Sequence, residues 1–258
     1  MTFRPWVAAA LSLGTLVAWS PAAPGPQRYK VEVKTKITQD LTAFGQGSQT
    51  QDLVNTAFIT INERDSGAVR VVDIVADSMQ AGPGSPTTPE QLASVKGSKW
   101  HGTRNMATGR IDTLIFEGAE NPVAGTLEGL LKSLFPPVRK GAVAGQSWTD
   151  TTDTEGMMGV PIRTVTNLAT AADSWQGAKV LKLTGASATK IAGTAQSPQG
   201  ELQIDGSGTG TIAWIIGTDG VLLNSTATSS SSMMVTVAVA PAPIPISIDV
   251  TSTTTLLK

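Results

Sequence analysis

The sequence predicts a mainly β protein with an antiparallel half-barrel or barrel-like sheet and one or two short helices. Three kinds of observation predict this fold: segments in which apolar and polar residues alternate, two hairpin signals, and a scarcity of helical spacing. Alternation with period two places apolar side chains on one face of a strand and polar side chains on the other. A chain composed mostly of such segments forms a sheet that buries one face.

The first 23 residues have the order of a secretory signal peptide. Arg4 supplies a positive charge, an apolar stretch runs from Trp6 to Trp19, and Ser20-Pro21-Ala22 places small residues where a signal peptidase reads. The apolar stretch is shorter than the roughly 20 residues that cross a bilayer, and the prolines after it disfavour an uncleaved anchor. We therefore expect residues 1–23 to be a cleaved signal and residues 24–258 to form a single β-rich domain, exported to the periplasm or the extracellular space.

The composition excludes several classes of function. The chain has no cysteine, which rules out disulfides, thiol nucleophiles, cysteine metal ligands and a lipid-modified cysteine after the signal. It has 19 basic and 20 acidic residues, so it lacks the excess of positive charge that is typical of nucleic-acid binding. After the signal, no segment is apolar for long enough to span a membrane as a helix. We therefore expect neither a nucleic-acid partner nor a transmembrane helix in the exported domain.

The first strands are the clearest. Between Tyr29 and Ile37 the odd positions are mostly apolar, whereas the even positions are three lysines and one glutamate. The segment Ala57–Ile61 alternates in a similar way. The segment Val69–Met79 is apolar on both faces at its start, which predicts a deeply buried or bulged strand.

A hairpin follows these strands. Lys99–Arg104 leads into the turn Ala107-Thr108-Gly109, and the chain returns through residues 110–116. A turn of three residues places Arg104 opposite Asp112, which predicts an ion pair between the two strands.

Two stretches have helical features. Thr88 and Gln91 have the spacing of a capping box, which predicts a short helix that ends near Gly97. For a second helix, Asn121 is suited to the N-cap and Pro122 to the first turn, and two prolines end it. The apolar stripe of this second helix consists of Val123, Leu127, Leu130, Leu131 and Leu134.

A second hairpin and three further strands are predicted after this helix. In the hairpin, Thr211–Ile216 and Val221–Leu223 flank the turn Gly217–Gly220, whose Asp-Gly pair favours a hairpin. The further strands lie around Leu181–Leu183, Met233–Val239 and Ile246–Val250.

The arrangement of these elements predicts two features of organisation. Pro241, Pro243 and Pro245 exclude a central strand at their position. Strand groups flank the second helix, which suggests two related halves divided near residues 121–145.

Few residues are candidates for catalysis or metal binding. His101 is the only histidine; we predict a structural strand histidine rather than a general base, because no nucleophile is in view. The run Asp150–Glu155 lacks the spacing of a calcium loop, and we interpret it as a solvated loop. Gly206–Gly210 lacks the lysine of a phosphate-binding loop, and we interpret it as a turn or bulged strand. We predict no catalytic residue, no metal ligand and no cofactor.

The signal, the run of antiparallel strands and the amphipathic helix between strand groups resemble the unclosed β-barrel of periplasmic lipoprotein-carrier proteins. The stretches Leu134-Phe135-Pro136-Pro137 and Gly145-Gln146-Ser147-Trp148 are similar to exported bacterial β-rich proteins of unknown function. The first resemblance implies a half-barrel with helices over its open side and an apolar cavity that takes acyl chains. The chain departs from many carriers of this architecture because it has no lipid-attachment cysteine.

The favoured function is that of an exported, non-enzymatic binding protein for an apolar small molecule or lipid. The candidate ligand contacts are Leu127, Leu130, Leu131 and Leu134, on the stripe of the second helix. The alternative for these leucines is that they fill the core of the domain. Two other functions stay open: a structural or interaction role with a protein of the cell envelope, suggested by the Ser/Thr-rich C-terminal third, and, with less support, a hydrolase that uses His101.

Overall fold

The computed structural model describes residues 25–67, 69–82, 85, 87–118, 122–139, 141–156, 159–197, 200–237 and 242–257. The predicted signal peptide and the predicted N-cap Asn121 lie outside these residues.

Eleven strands, two α-helices and one 3-10 turn make up the described fold. In chain order the strands are β1 (Gln27–Asp40), β2 (Ser48–Ser66), β3 (Val69–Ala81), β4 (Lys99–Asn105), β5 (Ile111–Glu117), β6 (Ser147–Glu155), β7 (Pro161–Trp175), β8 (Ala178–Ser197), β9 (Gly200–Gly217), β10 (Leu222–Val237) and β11 (Ile244–Leu257). The helices are α1 (Pro89–Val95) and α2 (Pro122–Ser133), and the 3-10 turn is Thr42–Phe44.

All eleven strands belong to one antiparallel sheet. Their order is β5-β4-β3-β2-β1-β11-β10-β9-β8-β7-β6. The chain therefore starts in the middle of the sheet, runs to the edge strand β5, crosses with α2 to the other edge β6, and returns to β11 beside β1. In the described part of the chain no ladder joins β5 to β6, so the sheet is not closed into a barrel. The predicted fold class, a mainly β protein with an unclosed antiparallel sheet and two short helices, is confirmed.

One face of the sheet, which we call the inner face, carries the hydrophobic core. Tyr29, Val31, Ile59, Ile74 and Trp214 mark this face, and α2 packs its leucines against it. The opposite, outer face carries the lysines and glutamate of β1 and many of the hydroxyl side chains of β9 to β11, whereas Ser225 and Thr254 are buried on the inner face. The alternation predicted for β1 is therefore the pattern of a strand with one buried face.

The local predictions for β3 and α1 are confirmed. The ladder between β2 and β3 shifts its register between Phe58 and Ile59, as a bulge does. The Thr88 side chain accepts a hydrogen bond from the Gln91 backbone N–H, and the Gln91 side chain accepts one from the Thr88 N–H, which is the predicted capping box. Both predicted hairpins are also present, as β4–β5 and β9–β10.

The predicted pairing of Arg104 with Asp112 is wrong. The β4–β5 ladder shifts its register between Thr103 and Arg104, so Arg104 lies opposite Ile111. The Arg104 guanidinium points into the core, where it reaches Glu63 of β2 at 3.2 Å. The extra residue of this bulge is Asp112 in β5, so the bulge changes the partner of Arg104 and not its face. Arg104 shares the buried face of β4 with Trp100 and Gly102.

Two segments are regular strand, although we interpreted one as a solvated loop and the other as a turn or bulged strand. Asp150–Glu155 forms most of the edge strand β6, which pairs with β7 on one side and tolerates polar residues because its other side is open. Gly206–Gly210 lies inside β9 and pairs without a break with both β8 and β10.

Pro245 lies inside β11, and the prediction that prolines exclude a central strand is confirmed there. Pro245 pairs with Met234 of β10, but the ladder from β11 to β1 has already ended at Ile246. The strand is therefore a sheet edge at this position, where a missing N–H is tolerated.

The division into two related halves stays a prediction. The hairpin β4–β5 lies at one edge of the sheet, whereas β9–β10 lies well inside it. Over the residues that the structure describes, none of the helices combines the length and the apolar character that crossing a membrane requires.

Candidate ligand-binding site

A cleft opens between the end of α2 and the inner face of β6 to β9. It has a volume of about 370 Å³. This volume lies within the range of about 300–1,000 Å³ that small-molecule sites occupy. The cleft has three walls, formed by the segment after α2, by the inner face of β7 to β9, and by the two edge strands.

The first wall is fixed by the segment that follows α2. The chain leaves the helix through Leu134, whose N–H donates to the Leu131 carbonyl, and Phe135 and Pro137 then face the cleft. Gly109, in the β4–β5 turn with φ +77°, packs so closely on this segment that a Cβ there would lie 2.6 Å from the backbone nitrogen of Val138. Only glycine permits this approach, and the contact holds the turn and the segment together.

The inner face of β7 to β9 forms the second wall, which is apolar and which we call the floor of the cleft. Leu168, Ile212 and Trp214 line it, and the Trp214 indole N–H donates to the Ser133 carbonyl at 3.4 Å, which ties the floor to the end of α2. Gly185 lies opposite Leu168 and Ile212 in the ladders, and a Cβ there would lie 3.0 Å from Ile212 and 3.1 Å from Leu168. The missing side chain lets the two aliphatic residues meet across β8.

The polar side of the cleft consists of hydroxyl groups in register. Cross-strand pairs place Thr152 beside Thr164 and Thr166 beside Ser187, and all four line the cleft. Hydroxyls both donate and accept, so this side can bind a polar group of either kind. The site therefore pairs an apolar floor with a hydroxyl-bearing wall, which suits a molecule with one apolar and one polar part.

Charged side chains lie at the seam between the two edge strands. The Arg110 guanidinium, directly before β5, forms an ion pair with the carboxylate of Asp150 in β6. Lys132, on the last turn of α2, also lines the cleft and contacts Glu128 one turn earlier at 2.7 Å. The ion pair of Arg110 and Asp150 connects the start of β5 to β6, and no backbone ladder joins these two strands in the described residues.

The four leucines of the predicted stripe are in the core and not in the cleft lining. Leu127, Leu131 and Leu134 are buried, and Leu130 is half-buried against the same core. This placement favours the alternative that the stripe fills the core. The side of α2 that reaches the cleft is its C-terminal end, through Lys132 and Ser133.

The sequence indicated few of the cleft residues, but one of the two stretches that resemble exported proteins contributes two of them. Phe135 and Pro137 belong to the first stretch and line the cleft. Trp148 belongs to the second, pairs with the floor residue Leu168, and lies under the Arg139 guanidinium at 5.5 Å. In the sequence, the combination of aromatic residues and prolines was the feature that could indicate a site. The threonines of β6 and β7 did not indicate one, because they share a face of the sheet only through the register of the strands.

An ionic cluster lies behind the cleft, on the other side of Phe135. The Glu63 carboxylate accepts hydrogen bonds from Arg70 at 3.1 Å and Arg104 at 3.2 Å, and all three side chains are almost fully buried. Arg104 also lies 5.5 Å from the centre of the Phe135 ring. The pKa of the neighbouring Tyr29 is raised above its usual value, mainly because the ring is buried. The small space beside the cluster has a volume of about 10 Å³, at the lower limit of what one water needs.

His101 lies on the outer face, away from the cleft. Its Nδ1 is 2.7 Å from an Asp73 oxygen, and the other Asp73 oxygen accepts a hydrogen bond from Arg64 at 2.7 Å. The hydrogen bond from His101, followed by the one from Arg64, holds the pKa of Asp73 below its usual value. The pairing of β3 with β4, which brings Asp73 to His101, is not encoded locally. Among the hydrogen bonds of the described residues, none joins His101 to a hydroxyl.

The described residues contain no group of three or more acidic or histidine side chains that could hold a metal ion. No protein-family model matches the chain, and no curated protein shows significant similarity to it. The family resemblances suggested by the sequence therefore stay predictions.

Proposed function

We propose that this protein is a non-enzymatic binding protein whose ligand is apolar or lipid-like, and that the ligand lies in the cleft between α2 and β6–β9. The observation that carries this proposal is the floor of Leu168, Ile212 and Trp214, which remains open to a space of about 370 Å³. Transfer of apolar ligand surface from water to such a floor is favourable by about 25 cal/mol per Å². The rest of the inner face near α2 is packed with core side chains.

We also propose that the protein is exported from the cytoplasm before it binds this ligand. A protein that binds an apolar molecule outside the cytoplasm shields that molecule from water. The support is the order of charged, apolar and small residues in the first 23 positions.

Binding of a neutral apolar fluorophore, N-phenyl-1-naphthylamine, tests the proposal. We expect saturable binding at one site. Thr166→Trp places a large ring in the cleft and should weaken binding by about tenfold or more. The matched control is Ala169→Trp on the same strand, where residue 169 is exposed on the outer face.

Comparison of the two variants distinguishes a ligand that is blocked from the cleft from a protein that has lost its fold. Loss of binding in Thr166→Trp alone, with both variants folded by circular dichroism, supports the cleft. Unsaturable binding, or equal binding by the two variants, contradicts it.

A further inference from the structure

Arg110 is a half-buried cation at the mouth of the cleft. Its side chain is 34% exposed and that of its partner Asp150 is 23% exposed. The backbone that carries Arg110 is held at two points, because the Arg104 side chain donates to the Gly109 carbonyl at 2.9 Å and the Asn105 N–H donates to the Arg110 carbonyl at 2.8 Å. Burial lowers the pKa of Arg110 from its usual value. A partly desolvated cation on rigid backbone binds anions more strongly than a solvated one.

The charges that line the cleft are not balanced. Arg110 and Lys132 are cations, and Asp150 is the anion that faces them. Glu128, which pairs with Lys132, lies one turn back on α2 and is not part of the cleft lining. An anionic group that enters the cleft therefore meets two cations, whereas a cationic group meets repulsion from both.

We propose that the cleft selects amphiphiles with one anionic headgroup, a carboxylate or a phosphate, which replaces Asp150 on Arg110 while the tail lies against the apolar floor. This inference rests on the proposed function. The exchange keeps the guanidinium paired, so it avoids leaving a buried charge without a partner. Asp150 turns outward to water as the headgroup enters. The hydroxyls of Thr152, Thr164 and Thr166 donate hydrogen bonds to the remaining headgroup oxygens.

The experiment compares four amphiphiles with the same twelve-carbon tail. Dodecanoate, dodecyl phosphate, dodecanol and dodecyltrimethylammonium, each below its micelle concentration, displace N-phenyl-1-naphthylamine from the folded protein. We expect dodecanoate or dodecyl phosphate to bind roughly tenfold more tightly than dodecanol, and the cation to bind most weakly. The anion that binds more tightly, dodecanoate or dodecyl phosphate, shows whether the headgroup is a carboxylate or the phosphate of a lipid.

Variants of Arg110 and Asp150 test whether Arg110 causes the preference for anionic amphiphiles. Arg110→Gln should bring the affinity ratio of anion to dodecanol, measured on the same variant, close to one, whereas Arg110→Lys should keep the preference for anions. Asp150→Asn removes the competing carboxylate and should tighten the binding of anions. The control is Arg163→Gln, which removes an exposed arginine that pairs with Asp153 and does not line the cleft.

The outcomes of the two proposals are distinguishable. Equal binding of dodecanol and both anions, or an anion preference that survives Arg110→Gln, overturns the selection of anions and leaves the proposed function intact. Failure of the fluorophore itself to bind overturns the proposed function. Equal loss of preference in Arg163→Gln and Arg110→Gln would show general electrostatics, and also overturns the role of Arg110.

Discussion

Single residues decide how the interior of this sheet accommodates charge. Glu63 lies between Arg70 and Arg104, and these side chains are 9%, 3% and 7% exposed. Burying a charge without a partner is costly, so the carboxylate satisfies two guanidinium groups at once. Asp65 adds a second partner for Arg70 at 2.7 Å. The cluster also places Arg104 over Phe135, the residue that separates the cluster from the cleft.

Glu63→Gln tests how much this cluster contributes to the stability of the protein. The amide keeps the shape and one acceptor oxygen but removes the negative charge between two buried arginines. We expect the free energy of unfolding to fall by roughly 3 kcal/mol in urea titrations. Arg64→Gln is the control, because it breaks the Arg64–Asp73 pair, whose side chains are 61% and 37% exposed. That change should cost less than about 1 kcal/mol. Similar costs for both variants would show that the buried cluster contributes no more than a surface pair.

At the scale of elements, glycines determine how closely the strands approach on the inner face. Gly206, Gly208 and Gly210 alternate along β9 and share the inner face with Ile212. A Cβ at Gly208 would lie 2.9 Å from the Ser230 carbonyl oxygen and 2.9 Å from the Ser231 Cβ. Such crowding is typical of a sheet that curves toward the crowded face, where glycine kinks permit the bend.

Two Gly→Ala substitutions should have opposite effects for this reason. Gly208→Ala forces β9 away from β10 and should lower the free energy of unfolding by about 1 kcal/mol or more. Gly129→Ala lies on the exposed side of α2, where a Cβ has no atom within 4 Å. It should stabilise the protein by roughly 0.5–1 kcal/mol, because alanine favours a helix. Urea titration of both variants measures the difference, and a stabilised Gly208→Ala would contradict the close approach.

The elements also show which features a sequence encodes. The alternation of β1, the capping box of α1 and the Asp-Gly hairpin turn depend on neighbours in the chain, and all three are present as predicted. The pairing of His101 with Asp73 depends on register between strands, and the position of Arg104 opposite Ile111 depends on a bulge. Local patterns do not determine these features, because a shift of one residue moves a side chain to the other face.

At the scale of the whole molecule, the cleft exists because the sheet does not close. The edges β5 and β6 carry no ladder between them in the described residues, and α2 fills only part of the space with Leu127, Leu131 and Leu134. The remaining space lies where the long strands β7 to β9 extend past the end of the helix. The sequence predicted the helix as the ligand contact because its stripe is a local pattern, whereas the lining of the cleft comes from five separate strands, the end of α2 and two loop segments.

The most direct test of the central claim is native mass spectrometry of the protein purified without detergent from the cells that make it. The account predicts one small amphiphile bound per chain, retained by Ala169→Trp and lost from Thr166→Trp. Identification of the released molecule in negative-ion mode should show an apolar tail with one acidic group. A bare protein mass for the original chain, together with no uptake of N-phenyl-1-naphthylamine, would contradict the claim that the cleft is a binding site.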